Sequence, residues 1–131
     1  ETLGTTLEAA DSVRNELKPC RRLALKLDQL TWKDGLVSGF ENHLWLVSTS
    51  DFNQDFYEYH QQLQELIATC RRRQPYPPDS LRLAYIGVPS VYAQDLYHHL
   101  ESNGARVVFN EIQRQFAMPE PGNSLAEQYS Y

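Results

Sequence analysis

Cysteine is scarce in this sequence, because Cys20 and Cys70 are the only two among its 131 residues. Neither belongs to a CxxC pair or to a spacing typical of metal ligands. Two cysteines cannot by themselves supply the ligands of a zinc or iron–sulfur centre. Both are therefore expected to be buried free thiols, the usual state of cysteine in the cytosol, and a disulfide is the alternative.

Long apolar runs and an excess of positive charge are missing as well. No stretch approaches the ~20 apolar residues of a membrane span, and the first residues lack the pattern of a signal peptide. The formal net charge of -5 argues against nucleic-acid binding, which needs clustered Lys and Arg. The short run Arg71–Arg73 fits the end of a helix, with an anionic partner as the alternative. We expect a soluble, cytoplasmic protein with no membrane contact.

Several motifs of known enzymes are also lacking. The sequence has no Walker-type phosphate loop, no GxGxxG after its first predicted strand and no GxSxG elbow. The sequence therefore contains none of the motifs that usually indicate a nucleotide-dependent enzyme or a hydrolase of these types. His98 and His99 are adjacent and would not share a helix face, so they do not form a two-histidine metal site. His43 and His60 are isolated, and structural roles are expected for all four histidines.

The residues that are present indicate a folded domain, since 41% are hydrophobic and 22% charged. Apolar residues three or four positions apart predict a long amphipathic helix between Leu3 and Leu30. Pro19 lies inside it and removes a backbone donor. We therefore expect a kink there, or a break into two helices.

Capping signals divide the next part of the chain. Ser38 and Glu41 have the spacing of a capping box, which predicts a short helix that ends near Ser48. Residues 49–51 offer a new N-cap, and apolar residues at helical spacing extend the third helix to about Arg73.

The second half of the sequence predicts strand, helix and strand. Prolines make residues 75–80 a connector, and residues 81–88 have the composition of a strand. Ser90 is expected to cap the next helix, which Asn103 and Gly104 end. A second strand follows over residues 105–109. This order is a βαβ unit with parallel strands.

The predicted fold class is therefore α/β, a helix-rich three-layer arrangement with a short parallel sheet, as in an incomplete Rossmann-like or flavodoxin-like domain. Residues 1–74 form a helical region, residues 75–80 the connector and residues 81–131 the βαβ portion with a truncated tail. A helix start is expected over residues 123–131. Because two strands make a poor sheet, the chain is expected to be a piece of a longer protein.

Two stretches carry a family resemblance: residues 83–89 read LAYIGVP, and residues 96–111 read LYHHLESNGARVVFNE. A strand ending in Gly-x-Pro, a helix ending in acidic-x-x-Gly and a second strand closing on an acidic residue resemble the 2-hydroxyacyl-CoA dehydratase and benzoyl-CoA reductase subunit family, which includes the 2-hydroxyglutaryl-CoA dehydratase D-component. The run Ser38–Glu41 and the helices after it resemble the family's preceding region. The likeness covers about residues 17–130.

The resemblance implies a part of an oxygen-sensitive enzyme of anaerobic metabolism. Such enzymes remove water from a 2-hydroxyacyl-CoA or reduce an aromatic acyl-CoA, after an ATP-dependent activator protein has delivered an electron. Two homologous subunits each hold an iron–sulfur cluster through three cysteines. One cluster cysteine of the family falls on Gln113 here, so this chain alone should bind no cofactor. A 4Fe–4S cluster is then either held by other sequence of the full-length protein or lost.

The expected substrate site lies at the carboxyl ends of the two strands, where ligands gather in α/β sheets. Its residues would be Gly87, Ser90, Asn110, Glu111 and Arg114. The plainer alternative is that Gly87 only makes a turn, Ser90 only caps and Arg114 only solvates the surface. Glu111 could act as a base or pair with Arg114. No catalytic residue is assigned.

Two functions remain open at this stage. The first is a segment of a dehydratase or reductase subunit that shapes an acyl-CoA pocket and a subunit interface and is not active alone. The second is a non-catalytic scaffold or partner subunit of the same fold without a cluster. The missing cysteine at Gln113 is the feature that separates them.

Overall fold

A computed structural model describes residues 2–119 and 122–128 of the chain. The helices and strands in chain order are α1 (Thr2–Trp32), α2 (Gly39–Val47), α3 (Phe56–Cys70), β1 (Leu81–Tyr85), α4 (Ala93–Ser102), β2 (Ala105–Asn110), α5 (Glu111–Phe116) and α6 (Leu125–Gln128). Two short 3-10 turns, Ser48–Ser50 and Phe52–Gln54, lie between α2 and α3.

The two strands form a parallel pair, which confirms the predicted α/β class. Leu81 lies opposite Ala105 and Tyr85 opposite Asn110, with one irregularity after Leu83. Helices α1, α2 and α4 all pack against β2. The sheet is therefore covered mainly over its second strand.

Helix α1 runs without interruption through Pro19, so the predicted break into two helices is wrong. Its side chains Cys20, Ala24 and Leu27 are at most 2% exposed and belong to the main apolar core. A proline in a helix interior costs about 3 kcal/mol, and burying several core side chains offsets that amount. Packing therefore overrides the local effect of the proline.

The predicted capping box at the start of α2 is confirmed. Glu41 donates its backbone N–H to the hydroxyl of Ser38 over 3.1 Å, and Ser38 donates its N–H to the Glu41 carboxylate over 3.1 Å. The same carboxylate accepts both guanidinium nitrogens of Arg73, at 2.7 and 2.8 Å. Arg73 therefore joins the end of α3 to the start of α2 by an ion pair.

Helix α3 begins later than the sequence predicts. Phe52, Asn53 and Gln54 have φ angles of 51, 53 and 71°, which no α-helix accommodates. Phe52 turns inward and packs edge-on against Tyr59, with ring centroids 5.2 Å apart. Asp55 then caps α3 by accepting two backbone N–H groups. Asp51, among the predicted N-cap residues 49–51, accepts the N–H of Asn53 over 2.9 Å and caps the 3-10 turn Phe52–Gln54. It does not cap α3 as predicted, because burial of Phe52 determines the local backbone.

The segment between β1 and α4 also departs from prediction. β1 ends at Tyr85, and α4 begins at Ala93 after Tyr92, without a side-chain cap. The Ser90 hydroxyl accepts the N–H of Tyr92 over 3.1 Å, so Ser90 makes a local turn and does not cap the helix. The predicted helix end is confirmed, with Asn103 at the cap and Gly104 at a φ of 77°.

The end of α1 is fixed to the sheet by two arginines on neighbouring strands. Arg82 donates to the carbonyl of Trp32 over 2.6 Å, and Arg106 donates to the carbonyl of Thr31 over 3.1 Å. Carbonyls at a helix C-terminus lack partners within the helix, and cations there are favourable. These bonds set the position of the sheet relative to the helical region.

Cys20 and Cys70 are buried free thiols, so the alternative of a disulfide is wrong. Burial raises the pKa of both thiols, which keeps them protonated. Within the described residues, no helix has the length and apolar character needed to cross a membrane. Helix α6 falls within the stretch 123–131 predicted as a helix start, and the remainder of that stretch lies outside the described residues.

Candidate functional site

Two of the predicted site residues meet at the carboxyl ends of the strands. The backbone N–H of Gly87 donates to a carboxylate oxygen of Glu111 over 3.2 Å. Gly87 has a φ of 114°, which side chains other than hydrogen rarely permit. A hydrogen bond of 2.8 Å from the Tyr85 hydroxyl to the carbonyl of Val88 holds the same loop. The parallel topology therefore places both strand ends at one edge, as predicted.

Asn110 lies inside the protein and not on an open surface. Its amide nitrogen donates to the side-chain oxygen of Asn42 over 2.7 Å and to the carbonyl of Gly39 over 3.3 Å. Its oxygen accepts a short hydrogen bond from the hydroxyl of Tyr97. Asn110 is fully buried. Through these contacts the side-chain amide of Asn110 joins β2 to α2 and α4.

Gly39 allows this close approach of α2 to the sheet. A Cβ atom at Gly39 would lie 2.7 Å from Cδ1 of Tyr97 and 2.9 Å from the carbonyl oxygen of Val107. Such distances are shorter than van der Waals contact, so the position requires glycine. The glycine at the start of α2 therefore determines how Asn110 reaches its partners.

Arg114 pairs with Asp28, so the predicted alternatives of a pair with Glu111 or of simple solvation are wrong. Nε of Arg114 lies 3.0 Å from a carboxylate oxygen of Asp28. The second oxygen of Asp28 accepts a bond of 3.0 Å from Asn42. Asp28 is 1% exposed and needs both partners, because a buried carboxylate without donors is strongly unfavourable. Arg114 thus anchors α5 to α1.

His43 and Gln113 extend the buried polar network. Nδ1 of His43 lies 3.0 Å from the Tyr97 hydroxyl and 3.2 Å from the Gln113 amide nitrogen. The His43 and Tyr97 rings pack edge to face, with centroids 5.6 Å apart. Burial lowers the pKa of His43 and raises that of Tyr97. Both side chains are therefore neutral near pH 7.

Hydrogen-bond donors and acceptors restrict how this network is protonated. Tyr97 donates its hydroxyl proton to Asn110. The Tyr97 oxygen can therefore accept a hydrogen bond from His43 only if Nδ1 of His43 carries the imidazole proton. An Nδ1–H group then requires the oxygen of Gln113 to face it. In the orientation that the structure gives this amide, its oxygen is buried with no partner among the described residues.

We call a set of six buried residues the polar network: Asp28, Asn42, His43, Tyr97, Asn110 and Gln113. Sequence reasoning found Asn110 and noted Gln113, but it did not identify the other four as site residues. A signal for Asp28 existed, because it lies among Leu27 and Leu30 on the apolar face of α1. A charged residue in an apolar stripe predicts a buried ion pair or hydrogen bond, since charged residues are rarely buried without a partner.

The fold and the site together define a helix-rich α/β protein with a polar network beneath the carboxyl ends of two parallel strands. The family model for 2-hydroxyglutaryl-CoA dehydratase, D-component, matches residues 5–131. The chain therefore belongs to this family, and the resemblance seen in the sequence is confirmed. Searches of the curated proteins and of the solved structures found no match.

The described residues do not fit an iron–sulfur cluster. In the described part of the chain, no group of three or more His, Cys, Asp or Glu residues is placed to hold a metal ion. Cys20 and Cys70 both lie in the apolar core of the helical region. Gln113 is fully buried and bonded to His43. No chemistry of a cluster is therefore assigned to these residues.

Proposed function

We propose that this chain acts as part of a 2-hydroxyacyl-CoA dehydratase-type subunit, related to benzoyl-CoA reductases, and lines an acyl-CoA pocket. Family membership supports the dehydratase class. The observation that supports the pocket is the hydrogen bond between Gly87 and Glu111, because it joins the two strand ends at one edge of the sheet. The turn that contains the Ser90 hydroxyl lies beside this bond. Ligands of open α/β sheets bind at this edge.

Glu111 and Ser90 would orient the substrate in this proposal. One oxygen of Glu111 is held by the Gly87 N–H, which fixes the direction of the carboxylate. A carboxylate placed in this way can accept a hydrogen bond from the 2-hydroxyl group of the substrate. The Ser90 oxygen accepts the N–H of Tyr92, so its own proton can be donated to a thioester carbonyl. The polar network beneath Glu111 would keep α5 and β2 in place.

The remaining parts of the reaction would come from outside this chain. We propose that a second homologous subunit and an ATP-dependent activator complete the enzyme, and that the chain is inactive alone. This lyase or reductase would work in the cytoplasm, and the buried free thiols fit a reducing compartment.

The proposal is tested in the assembled subunit pair with its activator. Glu111→Gln keeps the shape of the side chain and removes its charge, and a lost hydrogen bond to a charged group corresponds to about 10- to 100-fold in kcat/KM. Glu65→Gln, on the exposed face of α3, is the matched control and should leave activity unchanged. Ser90→Ala and Arg114→Ala are measured in parallel. Unchanged acyl-CoA affinity and turnover in Glu111→Gln, Ser90→Ala and Arg114→Ala would reject the pocket.

A second candidate is a supporting subunit that has lost its cluster. Gln113, where the family resemblance expects a cysteine, is fully buried and bonded to His43. This candidate predicts that the chain stays colourless after anaerobic reconstitution with iron and sulfide. A stoichiometric broad visible absorption that disappeared in Cys20→Ser or Cys70→Ser would contradict it. A pair in which only the other subunit becomes coloured would favour it.

A further inference from the structure

Asp28 is the one buried acidic residue in the part of the chain that the structure describes, and it is 1% exposed. It lies on α1 between Leu27 and Leu30, which belong to the apolar core, so the packing of α1 fixes its position. Burying a carboxylate is costly, and apolar side chains can often replace a buried ion pair without loss of stability. Stability alone therefore does not explain why a carboxylate is buried here.

Both carboxylate oxygens of Asp28 lead to residues that flank Glu111. Oδ1 accepts a hydrogen bond of 3.0 Å from the side-chain amide of Asn42, whose own oxygen accepts one of 2.7 Å from Asn110. Asn110 directly precedes Glu111. Oδ2 accepts a hydrogen bond of 3.0 Å from Nε of Arg114, which lies one helical turn after Glu111. The two paths therefore close a ring around the residue that the proposed function places beside the substrate.

Helix α5, which begins at Glu111, depends on contacts with other elements for its position. It has six residues, and a helix of this length is not stable by itself. Asn110 occupies its N-cap position but makes no capping hydrogen bond, because its side-chain amide is bonded to α2 and α4. Residues three positions apart lie on the same side of a helix, so the bond to Arg114 fixes the rotation of α5 on the side of Glu111.

We propose that Asp28 is a positioning residue for Glu111 in the candidate site, an inference that rests on the proposed function. Asp28 holds the end of β2 through Asn42 and the first turn of α5 through Arg114. The carboxylate of Glu111 is thereby kept 3.2 Å from the backbone nitrogen of Gly87, and its other oxygen is left for the substrate. Support of this kind, from a buried group on a rigid element, keeps a site residue in its working orientation.

Hydrogen–deuterium exchange in the full-length subunit pair tests the positioning independently of activity. Asp28→Asn keeps the shape of the side chain but has one acceptor oxygen in place of two, so it loses one of its two donors. The peptide that contains Gly87 should then exchange about tenfold faster, because the bond from Gly87 to Glu111 is weakened. Asp79→Asn, exposed in the connector, removes the same charge and should leave this exchange unchanged. Unchanged exchange in folded Asp28→Asn, or an equal rise in the peptides of α3, overturns the proposal.

Turnover by the subunit pair with its activator tests whether Asp28 acts through Glu111. In the parent, Asp28→Asn should lower kcat/KM by about tenfold, since small displacements of a residue that orients the substrate are costly. In a Glu111→Gln background the same substitution should change kcat/KM by less than about twofold, because the residue that Asp28 positions is already altered. Equal factors in the two backgrounds would indicate a general structural role and overturn the proposal.

Asn42→Ala is the second variant if Asp28→Asn does not fold. It interrupts only the path to the end of β2 and leaves the ion pair of Asp28 with Arg114 in place. It should give faster exchange at Gly87 and a loss of turnover that disappears in the Glu111→Gln background, and neither effect in the folded variant overturns the proposal. If Glu111→Gln alone leaves turnover unchanged, the proposed function fails, and exchange at Gly87 then decides whether Asp28 positions Glu111.

Discussion

The helical region from α1 to α3 and the strand-containing region after it differ in where their apolar side chains lie. In the helical region Leu27, Leu46 and Leu63 are fully buried in one apolar core. In the strand-containing region Asn110 and Gln113 are fully buried, while the apolar loop of residues 86–92 faces solvent. Apolar side chains inside make a region stable by itself. A loop whose apolar side chains face solvent is typical of a region that binds something else.

The largest expected effect is on the apolar core. Leu27→Ala removes a fully buried side chain between α1 and α3 and should lower the free energy of unfolding by about 3 kcal/mol. Leu7→Ala, at a position 46% exposed, should change it by less than about 0.5 kcal/mol. Urea unfolding followed by circular dichroism measures both. Equal effects would show that the apolar core around Leu27 is not what stabilises the helical region.

The polar network should respond according to the number of hydrogen bonds that each residue makes. Asn110→Leu removes the donor to the side-chain oxygen of Asn42 and the acceptor of the Tyr97 hydroxyl proton, and should cost about 2 kcal/mol. Gln113→Met removes a single bond together with a buried amide end that has no partner, so its effect should stay below about 1 kcal/mol. The same unfolding measurement compares them. A larger loss of unfolding free energy in Gln113→Met than in Asn110→Leu would show that the polar network depends mainly on Gln113.

The helical region was the more predictable of the two because its signals are local. Periodic apolar residues and the capping box formed by Ser38 and Glu41 specify α1 and α2 within a few residues. The start of α3 was missed because the burial of Phe52, a tertiary contact, sets the backbone there. Ser90 was placed as a cap because serine before an apolar stretch is a common signal, although α4 begins three residues later.

The candidate site was predictable only as far as topology determines it. Parallel strands meet at one edge, and this sufficed to bring Gly87 to Glu111. The partners of Asn110 could not be predicted, since Asn42 is 68 positions away in sequence. The pair of Arg114 and Asp28 spans 86 positions and depends on how α5 packs against α1. Contacts of this range follow from the assembled fold and not from local spacing.

The third expected effect concerns pH. Burial lowers the pKa of His43 in the folded protein, so the unfolded chain binds a proton first as the pH falls below about 6.5. Stability contributed by neutral His43 is thus complete above that pH and is lost as the pH falls towards the folded pKa. The slope for this one proton is at most about 1.4 kcal/mol per pH unit. In His43→Gln this component of the pH dependence should disappear, and an unchanged slope between pH ~6.5 and ~5 would contradict the assignment.

The smallest expected effect is that of the ion pair between Arg73 and Glu41. Hydrogen bonds from Arg73 and Ser38 hold the pKa of Glu41 below its usual value even though burial opposes this shift. The Arg73 side chain is 37% exposed, so solvent screens the pair and its contribution should be about 0.5 kcal/mol. Arg73→Lys keeps the charge but loses the two-point contact, and it should cost part of that amount. Unfolding at low and at ~1 M salt measures the screening, because the difference between parent and variant should shrink as salt rises. A loss of several kcal/mol that is insensitive to salt would show that the junction of α2 and α3 depends on Arg73 in another way, and the helical region would then not be stabilised mainly by its apolar core.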